Sequence, residues 1–339
     1  MTVDRPVEEG PQPTPGPHNP LLGTPWPVPM SVRRTWTIDV RSPSGADAEI
    51  VAEVRARDIR VAADSRVETI DELDVALEIE PESYSIGAVN VGRAGMRLQE
   101  LVGAGVRGGF GRQLAARFPH ESRRRSLSYS ALEDLGGATL VSGYARLRDG
   151  YVAFTGEHAE SAAKAQADIC IGWAADGPTI ETIRVHGRNP VPVGPIVPVS
   201  DPDEAPAWHK MPPLSRSTVR RRRRLDVSCA LREPKSFRIQ EHFRDSYSGA
   251  AGEMALHEYL VHAAVENGRI ASIEVDPRVL PWAACPGAAS SAQDIVGTAL
   301  EDVPMRVRRD LRGTTSCTHL NSTLRCLADA RSLIEHLCA

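Results

Sequence analysis

An internal repeat is the feature of this 339-residue chain that most constrains its fold. Residues 32–40 (VRRTWTIDV) align without gaps on residues 219–227 (VRRRRRLDV), and five of the nine positions are identical. Further matches follow in the same order: residues 57–58 with 244–245, 99–103 with 293–297, and 130–135 with 322–327. Matches that keep their order over so long a span predict two copies of one structural unit.

Both copies have the same predicted order of secondary structure. Alternating apolar residues predict strands, and Asn267-Gly268 predicts a tight hairpin turn because both residues tolerate positive φ. Strands are predicted in residues 50–57, 73–79, 85–91, 138–146, 256–265 and 269–275, and helices in residues 110–118, 159–174 and 303–311. The predicted fold class is α+β: an internal duplication of a strand-hairpin-plus-helices unit, with the two halves packed pseudo-symmetrically.

Two proline-rich stretches flank the first copy. Proline lacks a backbone N–H and cannot pair regularly, so residues 1–30 are expected to be extended or disordered. Residues 189–217 are expected to form an interdomain linker, with Trp208 as its anchor. The predicted division is an N-terminal segment (1–30), a first, degenerate copy with an added strand and helix (31–188), the linker, and a second copy (218–339).

Composition excludes several classes of function. A net charge of −4 argues against general nucleic-acid binding, and no run of about 18 apolar residues predicts a membrane span. The N-terminus has no apolar signal-peptide core. Six cysteines without a C-x-x-C pair do not form a disulfide framework, so reduced thiols and a cytoplasmic location are expected.

The main chemical signal is Cys317-Thr318-His319, at the predicted start of a helix. The positive end of a helix dipole favours a thiolate, which binds metals and attacks electrophiles. The first copy has Arg125-Ser126-Leu127 at the equivalent place. Because the first copy lacks the thiol and imidazole that the second copy carries, these groups are candidates for function rather than for packing.

Cys285 and one residue of the neighbouring strand are the predicted companions of this motif. His257 and Glu258 are adjacent in a strand, so their side chains face opposite sides and only one can face Cys317. A set drawn from Cys285, Cys317, His319, His257 and Glu258 suits Zn²⁺ or Fe. An open position on the metal would admit a small molecule; the sequence names no substrate and no other cofactor.

Two alternatives to a metal site remain at this stage. Cys317 could be a nucleophile with His319 as its base. The halves could instead form a non-catalytic binding or scaffold protein in which the cysteines only pack, and Cys170 is interpreted as such a core residue. The run Arg220–Arg224 is interpreted as a solvated strand edge, and Arg57-Asp58 and Arg244-Asp245 as sources of structural ion pairs.

Several short motifs together resemble a bacterial family. They are His18-Asn19-Pro20, Val32-Arg33-Arg34, Arg57-Asp58, Asp168-Ile169-Cys170, Gly172-Trp173, Arg220–Asp226, Phe243-Arg244-Asp245-Ser246, Cys285-Pro286 and Cys317-Thr318-His319-Leu320. This pattern resembles the domain of unknown function 2889, here in a two-copy form. The resemblance implies no established activity.

The second half also has a remote similarity to the U-type iron–sulfur scaffold and sulfur-transfer proteins. In those proteins a carboxylate and three cysteines hold zinc or a nascent cluster. Cys285 and Cys317 match the second and third cysteines, Glu258 falls near the carboxylate, and Leu256 or His257 stands in place of the first cysteine. What the resemblance implies is a Cys/His/carboxylate metal site rather than cluster assembly.

Overall fold

A computed structural model of the protein describes residues 13–41, 50–148, 157–198, 206–229 and 235–338. Its centre is an eight-stranded antiparallel sheet with the order β4-β3-β2-β1-β5-β6-β7-β8. The strands are β1 (Ser31–Arg41), β2 (Ile50–Val61), β3 (Val67–Ile79), β4 (Ile86–Arg93), β5 (Thr218–Cys229), β6 (Ser236–Gly249), β7 (Gly252–Glu266) and β8 (Arg269–Val279). The predicted hairpins are confirmed, and Asn267 and Gly268 have the positive φ values that the turn requires.

The first strand of each predicted copy lies at the middle of the sheet. β1 pairs with β5 in antiparallel register, with Ser31 opposite Ser228 and Arg41 opposite Thr218. Three more strands therefore extend to each side of this central pair, and one sheet runs through both halves.

Helices cover one face of the sheet. They are α1 (Phe110–Arg117), α2 (Pro119–Arg124), α3 (Leu127–Glu133), α4 (Leu135–Arg148), α5 (Glu157–Gln166), α6 (Pro178–His186), α7 (Val303–Asp310), α8 (Thr318–Cys326) and α9 (Ala330–Cys338). Two large apolar clusters fill the space between sheet and helices, one under α1 and α3 and one under α7 to α9. The arginine-rich helices predicted over 110–118 and 303–311 are confirmed as α1 and α7.

Two of the predicted elements were wrong. Residues 138–146 belong to α4 rather than to a strand, because Ala138 and Val141 are buried at helical spacing and Val141 packs against Val219 and Tyr247. The helix predicted over 159–174 stops at Gln166. Asp168 has a φ of 60°, and a short 3₁₀ helix, Ile171–Trp173, follows.

The proline-rich segments dock on the folded body wherever the structure describes them. Residues 14–19 run along the end of β8 and the residues after it, with backbone hydrogen bonds such as Asn19 N–H to Arg278 O at 2.8 Å, so this part is ordered and without regular secondary structure. Proline has no backbone N–H to donate, but this does not prevent the contact, because pairing along one edge of a strand needs few N–H donors. Residues 1–12 and 199–205 lie outside the described residues.

The second proline-rich stretch covers the sheet face opposite the helices. Trp208 and His209 are buried there, and the His209 ring lies between the hydroxyls of Thr35 and Thr37 at 2.9 and 3.0 Å. Trp208 is thus an anchor, as predicted, but residues 206–211 act as a cover for the sheet rather than as a free linker.

The run Arg220–Arg224 is not the solvated edge that we predicted. All five arginines are buried, because β5 pairs with β1 on one side and β6 on the other. Arg221 and Arg223 face the helices, where they pair with Asp245, Asp134 and Glu241. The predicted ion pairs of the two Arg-Asp motifs are confirmed. The aspartate of each motif pairs with an arginine of the repeated Arg-Arg element, in Arg34–Asp58 and Arg221–Asp245, and both pairs are buried.

Candidate functional site

Two histidines and an aspartate meet on the helix-covered face of the second half. β6 pairs with β7 so that Asp245 lies opposite His257, and the first turn of α8 brings His319 onto the pair. One ligand atom from each of the three residues lies within 4.8 Å of the other two. The His257 and His319 rings are stacked, with centroids 3.7 Å apart and planes at 18°.

Asp245 is held from behind by an arginine. Arg221 donates to both carboxylate oxygens through Nε and Nη2, each at 2.8 Å. The Oδ2 atom also lies 3.6 Å from His319 Nε2 and 3.9 Å from His257 Nδ1. The guanidinium therefore fixes the carboxylate plane and leaves one oxygen turned toward the imidazoles.

Burial favours the neutral form of both imidazoles. Burial lowers the pKa of His257 to about 4, although Asp245 acts in the opposite direction. Burial also lowers the pKa of His319 well below its usual range, and the neighbouring His257 and Arg221 add to this effect. Neutral imidazole, with a free ring lone pair, is the form that binds metal ions.

A cavity of about 890 Å³ opens beside these histidines. Its walls include the predicted residues Cys285, Cys317, His257 and His319. His319 is the more open of the two imidazoles, with 17% of its side chain exposed against 3% for His257. Four of the five predicted site residues thus lie around one cavity.

Glu258 is the predicted residue that the structure places elsewhere. Its carboxylate lies on the opposite face of the sheet, where it binds His242 and Arg244, both at 2.9 Å. It also accepts a hydrogen bond from the backbone N–H of Leu21 at 3.0 Å. Alternation along β7 is the reason: His257 faces the cavity, so Glu258 must face away.

Cys317 lies at the start of α8, as predicted, and is its N-cap residue, but its thiolate is not favoured. Burial raises the pKa of the Cys317 thiol, and this effect outweighs the Tyr259 hydroxyl and the N–H groups of Leu320 and His319. The thiol also forms no capping hydrogen bond of normal geometry. Desolvation in a closed site therefore dominates over the helix dipole.

Sequence reasoning missed two members of this region. Asp245 was assigned a structural role alone, and its contact with the imidazoles becomes apparent from the strand register. Cys170 was interpreted as core packing, and it is buried, but it also lines the cavity. The sequence signal for Cys170 was its motif with Gly172 and Trp173, which entered only as part of the family resemblance.

Comparison with known proteins yields one match. Residues 221–332 match a family model described as "Protein of unknown function (DUF2889)", which supports the resemblance over the second predicted copy. No curated protein and no solved structure matches the chain. In the part of the chain that the structure describes, no helix is long and apolar enough to cross a membrane.

Proposed function

We propose that this protein binds a divalent transition metal ion, zinc or iron, at His257, His319 and Asp245. The observation that carries the proposal is the convergence of these three ligand atoms at the wall of a large cavity. Two imidazoles and a carboxylate are a ligand set used by catalytic zinc and by non-haem iron. With three protein ligands, at least one coordination position stays open to the cavity.

The groups around the ligands support the same assignment. Metal-binding carboxylates are themselves hydrogen-bonded in many sites, and Arg221 does this for Asp245. Stacked rings direct their lone pairs in parallel, so binding requires His319, the more open residue, to tilt toward the ion.

The ion would polarise a small molecule or a water bound in the cavity. Two buried polar atoms at the cavity have no hydrogen-bond partner in the described part of the chain: Trp282 Nε1 and Asn321 Oδ1. Buried polar groups rarely stay unpaired, so these atoms favour a polar ligand that accepts one hydrogen bond and donates another.

The same two atoms support a second candidate, a non-catalytic small-molecule binding protein. Its cysteines and histidines would shape the cavity without holding a metal. Burial raises the pKa of the Cys285 thiol well above its usual range, as expected for a cysteine that only packs. Metal content separates the two candidates.

The two-copy origin of the chain is also part of the proposal. The sheet order, with four strands in each half and β1 paired with β5 at the centre, is what a duplication with antiparallel packing would produce. The first copy would then be a structural partner for the second.

The test uses the full-length protein stripped of metal with a chelator and titrated with Zn²⁺ in a calorimeter. We expect one ion per chain, and at least tenfold weaker binding in His257→Ala and His319→Ala. His262→Ala is the matched control, because His262 lies exposed on the same strand. Wild-type protein that takes up no ion, or His257→Ala protein that binds as tightly as wild type, would overturn the metal proposal and leave the binding-protein candidate.

A further inference from the structure

One side of helix α8 lines the cavity with polar residues. They follow one another at intervals of three and four residues, and residues at this spacing share one side of a helix. The opposite side of α8 carries leucines that pack in the core of the second half. The helix therefore turns a polar face toward the cavity, formed by Thr318, Asn321, Ser322 and Arg325.

Arg325 differs from the other arginines of the cavity wall. Arg221 is paired with Asp245 and Asp134, and Arg107 is exposed to solvent. Arg325 is only partly exposed, and it forms no ion pair and no hydrogen bond with the residues that the structure describes. A partly buried guanidinium of this kind favours a negatively charged ligand, because buried charges are normally paired.

The anion that acts most on Arg325 is already shared by other arginines. The Glu133 carboxylate binds Arg125 at 2.8 Å and Arg308 at 2.6 Å. Arg125 also pairs with Asp329, so three guanidinium groups share two carboxylates. Burial lowers the pKa of Arg325, the charge of Glu133 opposes this shift, and Arg308 adds to it. Within the described part of the chain, one positive charge of this group stays uncompensated.

Asn321 gives an independent indication of a ligand on the same helix face. Its amide nitrogen donates to Leu311 O at 2.8 Å and to Ser316 Oγ at 3.3 Å, which fixes the orientation of the amide. Its Oδ1 atom is the buried acceptor without a partner among the described residues. Residues four apart on a helix have Cβ atoms about 5–6 Å from each other, so one small molecule can contact both Asn321 and Arg325.

We propose that the cavity binds a small organic carboxylate whose carboxyl group pairs with Arg325. A guanidinium binds a carboxylate through two parallel N–H bonds, and the single uncompensated charge matches the single charge of this group. A phosphate dianion would need a second cation. The inference rests on the proposed function because it names the ligand class of the same cavity, but Arg325 rather than the metal holds the carboxylate.

The position of Arg325 limits the size of the ligand. Arg325 and the metal ligand His319 are six residues apart on α8, which corresponds to about 9 Å along the helix axis. Helical side chains lean toward the N-terminus, which brings the guanidinium closer to His319. Trp173 and Trp282 contribute aromatic surface to the cavity wall. A compact acid with an apolar or aromatic body therefore fits between Arg325 and the histidines.

The test measures the binding of benzoate to chelator-stripped full-length protein in a calorimeter. Benzamide has nearly the same shape and no charge, and it should bind at least tenfold more weakly. Phenyl phosphate, which carries the same ring on a different anion, should also bind more weakly than benzoate. Binding of benzamide or of phenyl phosphate as tight as that of benzoate would overturn the assignment of a carboxylate.

Variants locate the carboxylate and separate it from the metal site. Arg325→Gln should weaken benzoate binding at least tenfold, and Arg325→Lys, which keeps the charge and loses the two parallel bonds, should weaken it less. Arg331→Gln is the matched control, because it removes one exposed positive charge from α9 and should bind benzoate as wild type does. The double variant His257→Ala and His319→Ala should keep benzoate binding. Loss of metal uptake alone would therefore leave the carboxylate site standing, and loss of benzoate binding alone would leave the metal site standing.

A measurement on the unaltered chain covers the case in which Arg325→Gln does not fold. Phenylglyoxal modifies arginine side chains, and benzoate should slow the modification of Arg325 and leave that of Arg331 unchanged, as read by peptide mass spectrometry. Three results would each overturn the proposal: wild-type protein that does not bind benzoate, folded Arg325→Gln protein with wild-type affinity, or equal modification of Arg325 with and without benzoate.

Discussion

The two halves of the sheet contain the same buried ion pair with different residues opposite it. In the first half Arg34 holds Asp58, and the residue opposite Asp58 on the next strand is Asp71. In the second half Arg221 holds Asp245, and the opposite residue is His257. One scaffold thus has a carboxylate facing a carboxylate in one half and a carboxylate facing an imidazole in the other.

This difference affects the pKa of Asp71. Burial raises the pKa of Asp71, and the charge of Asp58 adds to the shift. In the second half burial instead lowers the pKa of His257 to about 4, so a neutral imidazole rather than a second carboxyl group lies beside Asp245. The arginine–aspartate pair is thus common to both halves, and the residue opposite it is what differs between them.

Each half also contributes a carboxylate to the other. Asp134, between α3 and α4, accepts hydrogen bonds from Arg223 of β5 and from Ser322 Oγ at 2.9 Å. Asp329, before α9, accepts from Arg125 Nε at 2.6 Å and lies 3.6 Å from Arg34 Nη1. These crossed contacts join the halves into one folding unit.

The largest expected effect comes from removing a crossed contact. Asp134→Ala leaves Arg223 and Arg221 buried with one acceptor fewer, and breaking a buried pair costs about 3–5 kcal/mol. The measurement is urea unfolding at pH 7. Glu68→Ala, which breaks the exposed Arg60–Glu68 pair, is the control and should change stability by less than about 0.5 kcal/mol.

The next prediction tests whether the repeated ion pair is purely structural. Asp58→Asn and Asp245→Asn should each destabilise the protein by about 3 kcal/mol, because each removes the carboxylate that accepts two hydrogen bonds from a buried arginine. Asp245→Asn alone should also weaken Zn²⁺ binding in the calorimeter. Equal loss of metal affinity in both variants would contradict the division of roles between the halves.

A smaller effect should appear in the acid sensitivity of the halves. His242 in β6 stands at the place that Arg55 occupies in β2, and burial lowers the pKa of His242 to about 3, with Glu258, Arg222 and Arg244 as its charged neighbours. As the pH falls below about 6.5, the unfolded chain gains a proton at this position and the native chain does not. Stability then falls by about 1.4 kcal/mol per pH unit for this one group.

Urea unfolding at pH 7 and pH 5 measures the effect. His242→Gln should reduce the loss of stability between these two pH values, while other buried histidines, such as His209, keep contributing. Arg55→Gln should leave the loss unchanged, since arginine does not titrate in this range. An unaltered loss in His242→Gln would show that His242 is already charged in the folded state.

Local patterns predicted local structure well. The Asn267-Gly268 hairpin, the helices α1 and α7, and the position of Cys317 at the start of α8 all follow from short stretches of residues. Alternation also determined that His257 and Glu258 face opposite sides, although not which of them faces the cysteines.

Only the tertiary structure showed which charged residues are buried and how burial changes the pKa of the Cys317 thiol. The predicted solvated edge Arg220–Arg224 is instead buried at the centre of the sheet, where β5 pairs with β1. A sequence pattern does not show which strands will be neighbours in the sheet, and burial depends on those neighbours. Likewise, the helix start at Cys317 predicted a thiolate, but the closed cavity raised the pKa of its thiol. Contact between Cys170 and a site over a hundred residues away depends on packing of the whole chain, which no local pattern encodes.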